Sequence, residues 1–323
     1  MNFIKIIKRL FDISLYKRYF NRPSKILIGN LHLKQELTLI AERYFNQMDR
    51  SSGIVATDIA KVGLDGAPEY VQEMMSRRIP HDDDYIIFRI FNDDNSLILD
   101  IGANWGYSVG SLHAVGAQSR VVSFEAIPLY RSCLQAVSDL RPDRHTFFMN
   151  ALSDKPGSLR FVIPVVNGVA LSALTSASEN PCIVSLVSNI EIFILKYMTH
   201  AKLCTLQFCE FVVPVQTLDN IVSLHPEVFQ GCGISAMKID VEGLEFEVLK
   251  GAEKVLKMHK PLVMAEGGNR HDGLREFMSA INYLYAERRG ERLELFEGVG
   301  STSNGFFVHT SMLPRYRELG VLI

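Results

Sequence analysis

One stretch constrains the fold of this chain more than any other: an aliphatic run that ends in an acid and a turn bracketed by glycines. Residues 97–99 are Leu-Ile-Leu, Asp100 follows them, and Gly102 and Gly106 bracket the turn. An uninterrupted aliphatic run of this kind is typical of a parallel strand whose two faces are covered by helices. The sequence therefore predicts an open α/β sheet with this turn at its carboxyl edge, where such folds bind their ligands.

Two more strands are predicted to follow, and each ends on a polar residue. Residues 121–124 precede Glu125, and residues 145–149 precede Asn150 and Ala151. In nucleotide-binding α/β folds, an acid at the tip of the second strand holds the two ribose hydroxyls, so Glu125 predicts a nucleoside site. Asn150 is expected beside the adenine of such a ligand, where it either bonds the base edge or caps a turn. Both interpretations remain open.

The charge of the first turn favours one nucleoside cofactor over another. The dinucleotide fingerprint is G-x-G-x-x-G, but Asn104 stands at its third position and Asp100 precedes the loop. A carboxylate there repels a pyrophosphate, whereas it attracts an ammonium and a sulfonium. S-adenosylmethionine carries both cations and a ribose, so it is preferred over NAD. The predicted cofactor-binding residues are Asp100, Gly102, Asn104, Gly106, Glu125, Asn150 and Ala151.

Composition argues against several classes of protein. The net charge of -2 argues against a nucleic-acid-binding protein that depends on bulk basic charge. The five cysteines are an odd number without a C-x-x-C pair, so neither a zinc site nor a disulfide framework is indicated. A reducing, cytoplasmic location is therefore expected. No apolar run reaches the ~18 residues of a transmembrane helix, and the first residues do not read as a signal peptide.

The N-terminal segment is basic and amphipathic. On a helical wheel its apolar residues share one half, and charged residues such as Lys5, Lys8 and Arg9 lie opposite. Such a helix can lie on an anionic membrane surface, or it can pack against the body of the protein or a dimer partner. The sequence thus predicts either peripheral membrane contact through residues 1–22 or a protein contact, and both remain open.

The chain is predicted to contain two parts. Residues 1–92 form a helical accessory segment, and residues 93–323 form the cofactor-binding domain, an α/β domain with a mostly parallel, doubly wound sheet and an antiparallel closing strand. An insertion at residues 165–205 is interpreted as a lid or acceptor-binding element, or as a dimer interface. Residues 293–296 and 306–308 are expected to pair as an antiparallel closing hairpin.

Several motifs together resemble one known family, the FkbM-type methyltransferases. They occur in the order and spacing of that family and are Asp100–Gly106, Phe124–Ala126, Asn150–Asp154, Thr217–Asp219 and Lys238–Glu245. The resemblance spans residues 95–270, and the Lys-Ile-Asp-Val-Glu-Gly block is its most specific part. It implies a class I, Rossmann-like methyltransferase fold and S-adenosylmethionine-dependent O-methylation of a sugar, a glycan or a secondary metabolite.

The chemistry of methyl transfer to a hydroxyl singles out further residues. A sugar hydroxyl is a poor nucleophile at neutral pH, so a base or a metal is expected near its proton. Four groups are predicted to converge on the methyl site: Lys238, Asp240, Glu242 and Glu266. Lys238 and Asp240 share one side of a strand, which fits a functional pair or a structural salt bridge. His271, in a glycine-rich loop, has the better ordinary pKa for a base near neutrality.

A divalent metal and three competing functions complete the predictions. Asp240 with Glu266, at neighbouring strand tips, could form a magnesium site built from oxygen ligands. His81, followed by three acids, either begins a helix as part of its cap or binds a metal, and capping is preferred.

The alternatives to an O-methyltransferase are an NAD-dependent enzyme, a nucleic-acid methyltransferase and a membrane-associated scaffold without activity. A sugar or small-molecule acceptor and a homo-oligomer are the expected partners, and no nucleic acid is expected.

Overall fold

The computed structural model describes most of the chain. The described residues are 24–27, 33–47, 67–166, 169–171, 176–177, 183–197, 203–267, 273–298 and 303–323. The basic N-terminal segment, residues 1–22, lies outside these ranges, and so does His271. The predictions made for them therefore remain predictions.

The strands within the described ranges are numbered in chain order. They are β1 (Ser24–Leu27), β2 (Ser96–Ile101), β3 (Arg120–Phe124), β4 (His145–Phe148), β5 (Ala151–Leu152), β6 (Gly157–Val166), β7 (Val169–Ala170), β8 (Ser176–Ala177), β9 (Leu203–Gln216), β10 (Gly233–Ile239), β11 (Leu262–Glu266), β12 (Tyr283–Arg289), β13 (Arg292–Leu295) and β14 (Asn304–His309).

The helices of the described ranges are numbered in the same way. The α-helices are α1 (Leu33–Gln47), α2 (Ala67–Ser76), α3 (Tyr107–Ala114), α4 (Arg131–Leu140), α5 (Ile183–Tyr197), α6 (Leu218–Leu224), α7 (Pro226–Phe229), α8 (Glu245–Lys250), α9 (Glu253–His259), α10 (Leu274–Ala280) and α11 (Leu313–Glu318). Short 3₁₀ helices span Asp83–Ile90, Pro128–Tyr130 and Thr310–Met312.

The chain divides into two compact units. The smaller unit comprises Met1–Ala67 and Ser158–Val213, and the larger comprises Pro68–Gly157 and Pro214–Ile323. Residues 68–92, which the sequence grouped with the N-terminal accessory segment, belong by their contacts to the larger unit.

The larger unit is built on a mostly parallel sheet. Its described strands follow the order β13-β12-β14-β11-β10-β2-β3-β4. From β11 to β4 every neighbouring pair is parallel, and β14 pairs with β11 in antiparallel fashion. The predicted α/β class with a parallel core and antiparallel closure is confirmed.

The predicted pairing of the closing hairpin is wrong. β12 lies between β13 and β14 and pairs with both, so residues 293–296 and 306–308 are not direct neighbours. The sequence pattern also predicts a helix near residues 274–284, and that prediction is too long. The helix ends at Ala280, and Asn282 adopts a left-handed φ of 67° that a helix cannot continue. The chain then enters β12, where buried Tyr283 and Tyr285 flank exposed Leu284.

The two faces of the parallel sheet differ in polarity. On one face, Leu97, Leu99 and Ile101 of β2 join a buried apolar cluster with side chains of α6, α8, α9 and α10. Alternation along the strand directs Asp100 to the opposite face, where it contacts Ser123 of β3 and Lys238 of β10. A row of buried polar side chains therefore crosses that face just below the carboxyl edge.

The smaller unit contains a second sheet and two packed helices. In it, β1 pairs with β9, β9 neighbours β6, and β7 and β8 pair with β6. Helix α1 packs against α5, and Leu37 and Ile190 are fully buried. The predicted insertion contributes α5 to this unit, and its role as lid or dimer interface remains a prediction. Among the described helices, none has the length and apolarity to cross a membrane.

Gly102 allows the first turn to lie directly against the end of β10. A Cβ placed on Gly102 would lie 1.8 Å from the carbonyl oxygen of Asp240, and its φ is +79°. We expect Gly102→Ala to lower the free energy of unfolding by about 3 kcal/mol or more, because left-handed strain and overpacking add. Urea denaturation measures the loss.

Gly116→Ala is the matched control for this substitution. Gly116 has a similar φ of +87°, but a Cβ placed on it would meet no atom within 4 Å, so only the left-handed strain of about 1–2 kcal/mol remains. Equal losses for the two variants would show that the close approach to Asp240 has no energetic weight.

Candidate active site

The first turn is fixed to the tips of β2 and β3 by backbone hydrogen bonds. The amides of Gly102 and Ala103 both donate to the carbonyl of Phe124 at 3.0 Å. Asn104, with a left-handed φ of 52°, donates its amide to Glu125 Oε2 at 2.6 Å, and the amide of Ile127 donates to Glu125 Oε1 at 2.7 Å. The Glu125 carboxylate is thus held in one orientation at the strand tips.

Burial makes the Glu125 carboxylate unusual. Loss of solvent raises its pKa to about 7, although the amides of Ile127 and Asn104 favour the ionised form. Each carboxylate oxygen has two lone pairs, and one of these two amides reaches each oxygen. Glu125 can therefore still accept two ligand hydroxyls, as the predicted ribose contact requires.

Two further acceptors of the turn lack a donor among the described residues. Asp100 Oδ1 and Asn104 Oδ1 are buried without a hydrogen-bond partner. Buried acceptors are nearly always satisfied in proteins, so these atoms fit a ligand that brings donors. S-adenosylmethionine has an ammonium and ribose hydroxyls, whereas a pyrophosphate brings only acceptors. The residues of the turn therefore fit the predicted cofactor.

Lys238 connects the first turn, bracketed by Gly102 and Gly106, to the acids at the end of β10. We call this turn the cofactor turn after the ligand predicted for it. Its side chain is 5 % exposed, and Nζ lies 3.5 Å from both Asp100 Oδ1 and Asp240 Oδ2. Nζ also donates to the carbonyl of Gly102 at 2.8 Å. Burial opposes the ammonium charge, but Asp100, Tyr85 and Asp240 outweigh that effect and raise the pKa of Lys238. The predicted placement of Lys238 and Asp240 on one side of the strand is consistent with this ion pair.

Three of the predicted catalytic acids meet at the carboxyl edge. Oxygens of Asp240, Glu242 and Glu266 all lie within 4.8 Å of one another. Glu242 has a left-handed φ of 55°, and the loop around it is fixed by Glu245 Oε1, which accepts from the amides of Val241 at 3.0 Å and Gly243 at 3.2 Å. We call Asp240, Glu242 and Glu266 the carboxylate cluster.

The carboxylate cluster retains a proton near neutral pH. A hydrogen bond with Asp240 and burial raise the pKa of Glu266 to about 8. Burial and the charge of Asp240 also raise the pKa of Glu242. The three oxygens could bind a divalent cation, which would displace that proton. The Lys238 ammonium beside Asp240 competes with such a cation, and metal dependence remains a prediction.

The remaining predicted residues occupy separate positions. Gly106 is the N-cap of α3 with φ 87°, and a Cβ there would lie 2.7 Å from Val137. Asn150 follows the end of β4, and Ala151 is buried at the start of β5. The choice between adenine contact and turn cap for Asn150 remains open.

The sequence interpretation assigned a cap to the acids after His81, and the structure confirms one. The side chain of Asp82 accepts from the amide of Asp84 at 2.8 Å at the start of the 3₁₀ helix. Asn304, which pairs with Glu266 across β14 and β11, donates to Asp82 at 3.0 Å and to Asp84 at 2.9 Å. The capped segment is therefore tied to the carboxyl edge.

Two residues that the sequence interpretation missed lie beneath the cofactor turn. Ser123 donates to Asp100 Oδ2 at 3.0 Å, and the ring of His145 lies 3.0 Å from the Ser123 hydroxyl through Nε2. Both residues are buried. A polar residue inside the strand Val-Val-Ser-Phe, two positions before Glu125, was the available signal.

Comparison with known proteins identifies the family. The sequence pattern of the methyltransferase FkbM domain matches residues 100–292. The chain belongs to the FkbM methyltransferase family. This match contains the end of β2, the first turn, Glu125, Lys238 and the carboxylate cluster. The buried acceptors of the first turn, which fit S-adenosylmethionine, are consistent with this membership.

Solved structures similar to this FkbM chain are distant in sequence. A methyltransferase FkbM from Methylobacillus flagellatus KT shares 16% identity at a TM-score of 0.39, over 75% of this chain and 50% of that one. A precorrin-6y C5,15-methyltransferase from Geobacter metallireducens GS-15 shares 12% identity at 0.32, over 70% and 84%. The chain thus spans half the length of the first structure. A comparison with curated proteins produced no match.

Lys238 is expected to carry a large share of the stability of the site. Lys238→Met leaves Asp100 buried without its cation, so the free energy of unfolding should fall by about 3–5 kcal/mol. The matched control is Lys250→Met, because Lys250 is partly exposed and pairs with Asp154 at 3.3 Å; its loss should not exceed about 1 kcal/mol. Comparable losses in urea denaturation would contradict the buried ion pair.

The raised pKa of Glu266 predicts a pH dependence of stability. Between its ordinary pKa of 4.5 and about 8, the unfolded chain has released this proton while the folded chain keeps it. The contribution of Glu266 to the free energy of unfolding therefore falls as pH rises through this window. Glu266→Gln should flatten that part of the profile in thermal unfolding, and an unchanged slope would contradict the shared proton.

Proposed function

We propose that this FkbM methyltransferase transfers the methyl group of S-adenosylmethionine to a hydroxyl of a sugar, a glycan or a small metabolite. The observation that carries the proposal is the carboxylate cluster at the tips of β10 and β11. Lys238 links this cluster to the cofactor turn at hydrogen-bonding and ion-pair distances. A hydroxyl that approaches the cluster is therefore close to the proposed cofactor position.

The charges of the site favour a cationic methyl donor. Asp100 is fully buried beside the turn, and Glu125 lies at the next strand tip. The proposed roles are an ammonium contact for Asp100 Oδ1 and a ribose contact for Glu125 and Asn104. Gly102 and Gly106, both at positive φ, allow the turn to adopt its left-handed shape beside these buried oxygens. S-adenosylmethionine supplies an electrophilic methyl group that needs no further activation.

The carboxylate cluster supplies the base. Glu266 is hydrogen-bonded to Asp240 and keeps its proton near neutral pH, and it ionises above a pKa of about 8. The ionised pair can accept the hydroxyl proton as the oxygen attacks the methyl carbon, since an effective base titrates near the working pH. Glu242 accepts a hydrogen bond from a second hydroxyl of the substrate and so orients it. Correct orientation alone can lower such a barrier by several kcal/mol.

Lys238 and His271 have different proposed roles. The Lys238 ammonium is already paired with Asp100 and Asp240, so it orients the acid rather than removing a proton. His271, outside the described residues, is the second candidate for the base. Loss of turnover in His271→Ala, with turnover retained in Glu266→Gln, would move the role of the base to the histidine.

The direct test is methyl transfer from isotope-labelled S-adenosylmethionine to a panel of glycans and sugars, followed by mass spectrometry. We expect a labelled O-methyl product whose kcat/KM rises towards pH ~8, the region in which Glu266 ionises. Asp240→Asn should lower kcat by at least ~100-fold. Glu247→Gln, which changes a nearby acid on α8 outside the cluster, is the matched control. Methylation at nitrogen or carbon instead of oxygen would overturn the proposal.

Glu125 gives a separate test of cofactor binding. Glu125→Gln should weaken the affinity for S-adenosylhomocysteine about tenfold or more, because a charged acceptor of two ribose hydroxyls is lost. Trp105, the only tryptophan, lies within the first turn and packs edge-on against Tyr70, so its fluorescence reports binding. Glu227→Gln, at an exposed position, is the control. Equal affinity of both variants for S-adenosylhomocysteine would contradict the ribose contact.

A further inference from the structure

A chain of hydrogen bonds runs beneath the cofactor turn from α4 to β2. Ser138 Oγ lies 2.8 Å from His145 Nδ1, and His145 Nε2 lies 3.0 Å from Ser123 Oγ. Ser123 then donates to Asp100 Oδ2 at 3.0 Å. Ser123 and Asp100 are fully buried, and His145 is 4 % exposed. Water therefore does not compete with the two bonds that Ser123 makes.

The charge of Asp100, at one end, fixes the direction of every hydrogen bond in this series. Asp100 pairs with Lys238, so it is a carboxylate and can only accept. Ser123 has one hydroxyl proton, with which it donates a hydrogen bond to Asp100, so its oxygen must accept from His145 Nε2–H. A neutral imidazole with its proton on Nε2 accepts at Nδ1, which leaves Ser138 as the donor to that nitrogen.

The alternative of a charged imidazole is disfavoured by the surroundings of His145. Burial lowers the pKa of His145 to about 4, and the nearby Arg141 guanidinium acts in the same direction. The ring therefore stays neutral at physiological pH. It keeps a single tautomer because each of its nitrogens has a partner of defined polarity.

The two oxygens of the Asp100 carboxylate have different partners. Oδ2 accepts the hydrogen bond from Ser123, whereas Oδ1 has no hydrogen-bond donor among the described residues and lies 3.5 Å from Lys238 Nζ. Without Ser123, the carboxylate could rotate to place both oxygens against the ammonium. We propose that Ser123 and His145 are positioning residues that fix the Asp100 carboxylate so that Oδ1 remains available to the cofactor. This inference rests on the proposed cofactor site.

The first test reads the tautomer of His145 directly. Long-range ¹H–¹⁵N correlation spectra of the full-length, ¹⁵N-histidine-labelled protein should place the His145 proton on Nε2, both alone and with S-adenosylhomocysteine. His145→Gln assigns the signal among the nine histidines. A proton on Nδ1, or titration of this ring near pH 6.5, would overturn the proposal even if cofactor binding were normal.

The second test measures S-adenosylhomocysteine affinity by Trp105 fluorescence. Ser123→Ala should weaken binding about tenfold, which corresponds to one well-formed hydrogen bond to a charged group. Ser119→Ala is the matched control, because Ser119 is also buried and bonds Ser96 and the Asp93 carbonyl without reaching Asp100. Thermal unfolding of both variants separates a loss of stability from a loss of affinity.

Substitutions of His145 provide a rescue that a purely structural role would not show. The side-chain amide of His145→Gln can donate to Ser123 in place of Nε2–H, so this variant should bind S-adenosylhomocysteine as the wild type does. His145→Leu should bind about tenfold more weakly. Equal affinities for Ser123→Ala and wild type, or for the two His145 variants, would overturn the proposal. Absence of binding by the wild type would instead refute the proposed cofactor site, while the tautomer could still be measured.

Discussion

The buried ion pair between Lys238 and Asp100 holds the site together. Both side chains are almost completely buried, and removing two charges from water is costly unless further hydrogen bonds satisfy them. The Gly102 carbonyl and Asp240 provide them for the ammonium, and Ser123 provides one for the carboxylate. The ion pair therefore orders the cofactor turn and the carboxylate cluster at the same time.

This arrangement brings two groups of acids together at neighbouring strand tips. Gly102 lies so close to the Asp240 carbonyl that no side chain fits between them, and this contact brings the cofactor turn against the carboxylate cluster. The cluster itself keeps a proton, which limits mutual repulsion between Asp240 and Glu266. The acids that suit a cationic methyl donor and the acids that suit a hydroxyl acceptor are thus brought together by one buried lysine.

Sequence patterns predicted the strand tips but not the contacts between strands. Asp100, Glu125 and Asp240 each follow a mainly apolar strand, so their positions near the carboxyl edge follow from local pattern alone. The register of β10, β2 and β3 instead decides that Lys238, Asp100 and Ser123 form one row, and no local pattern specifies register. Local periodicity also places the start of β12 wrongly, because it extends the preceding helix past the left-handed residue Asn282.

The central claim is that the first turn binds a cation-bearing nucleoside and not a pyrophosphate. Isothermal titration calorimetry of the wild-type chain with S-adenosylmethionine, S-adenosylhomocysteine and NAD tests it most directly. The account predicts one-to-one binding of S-adenosylmethionine and its demethylated product, with no detectable heat for NAD. Binding of NAD by well-folded protein that ignores both sulfur compounds would contradict it.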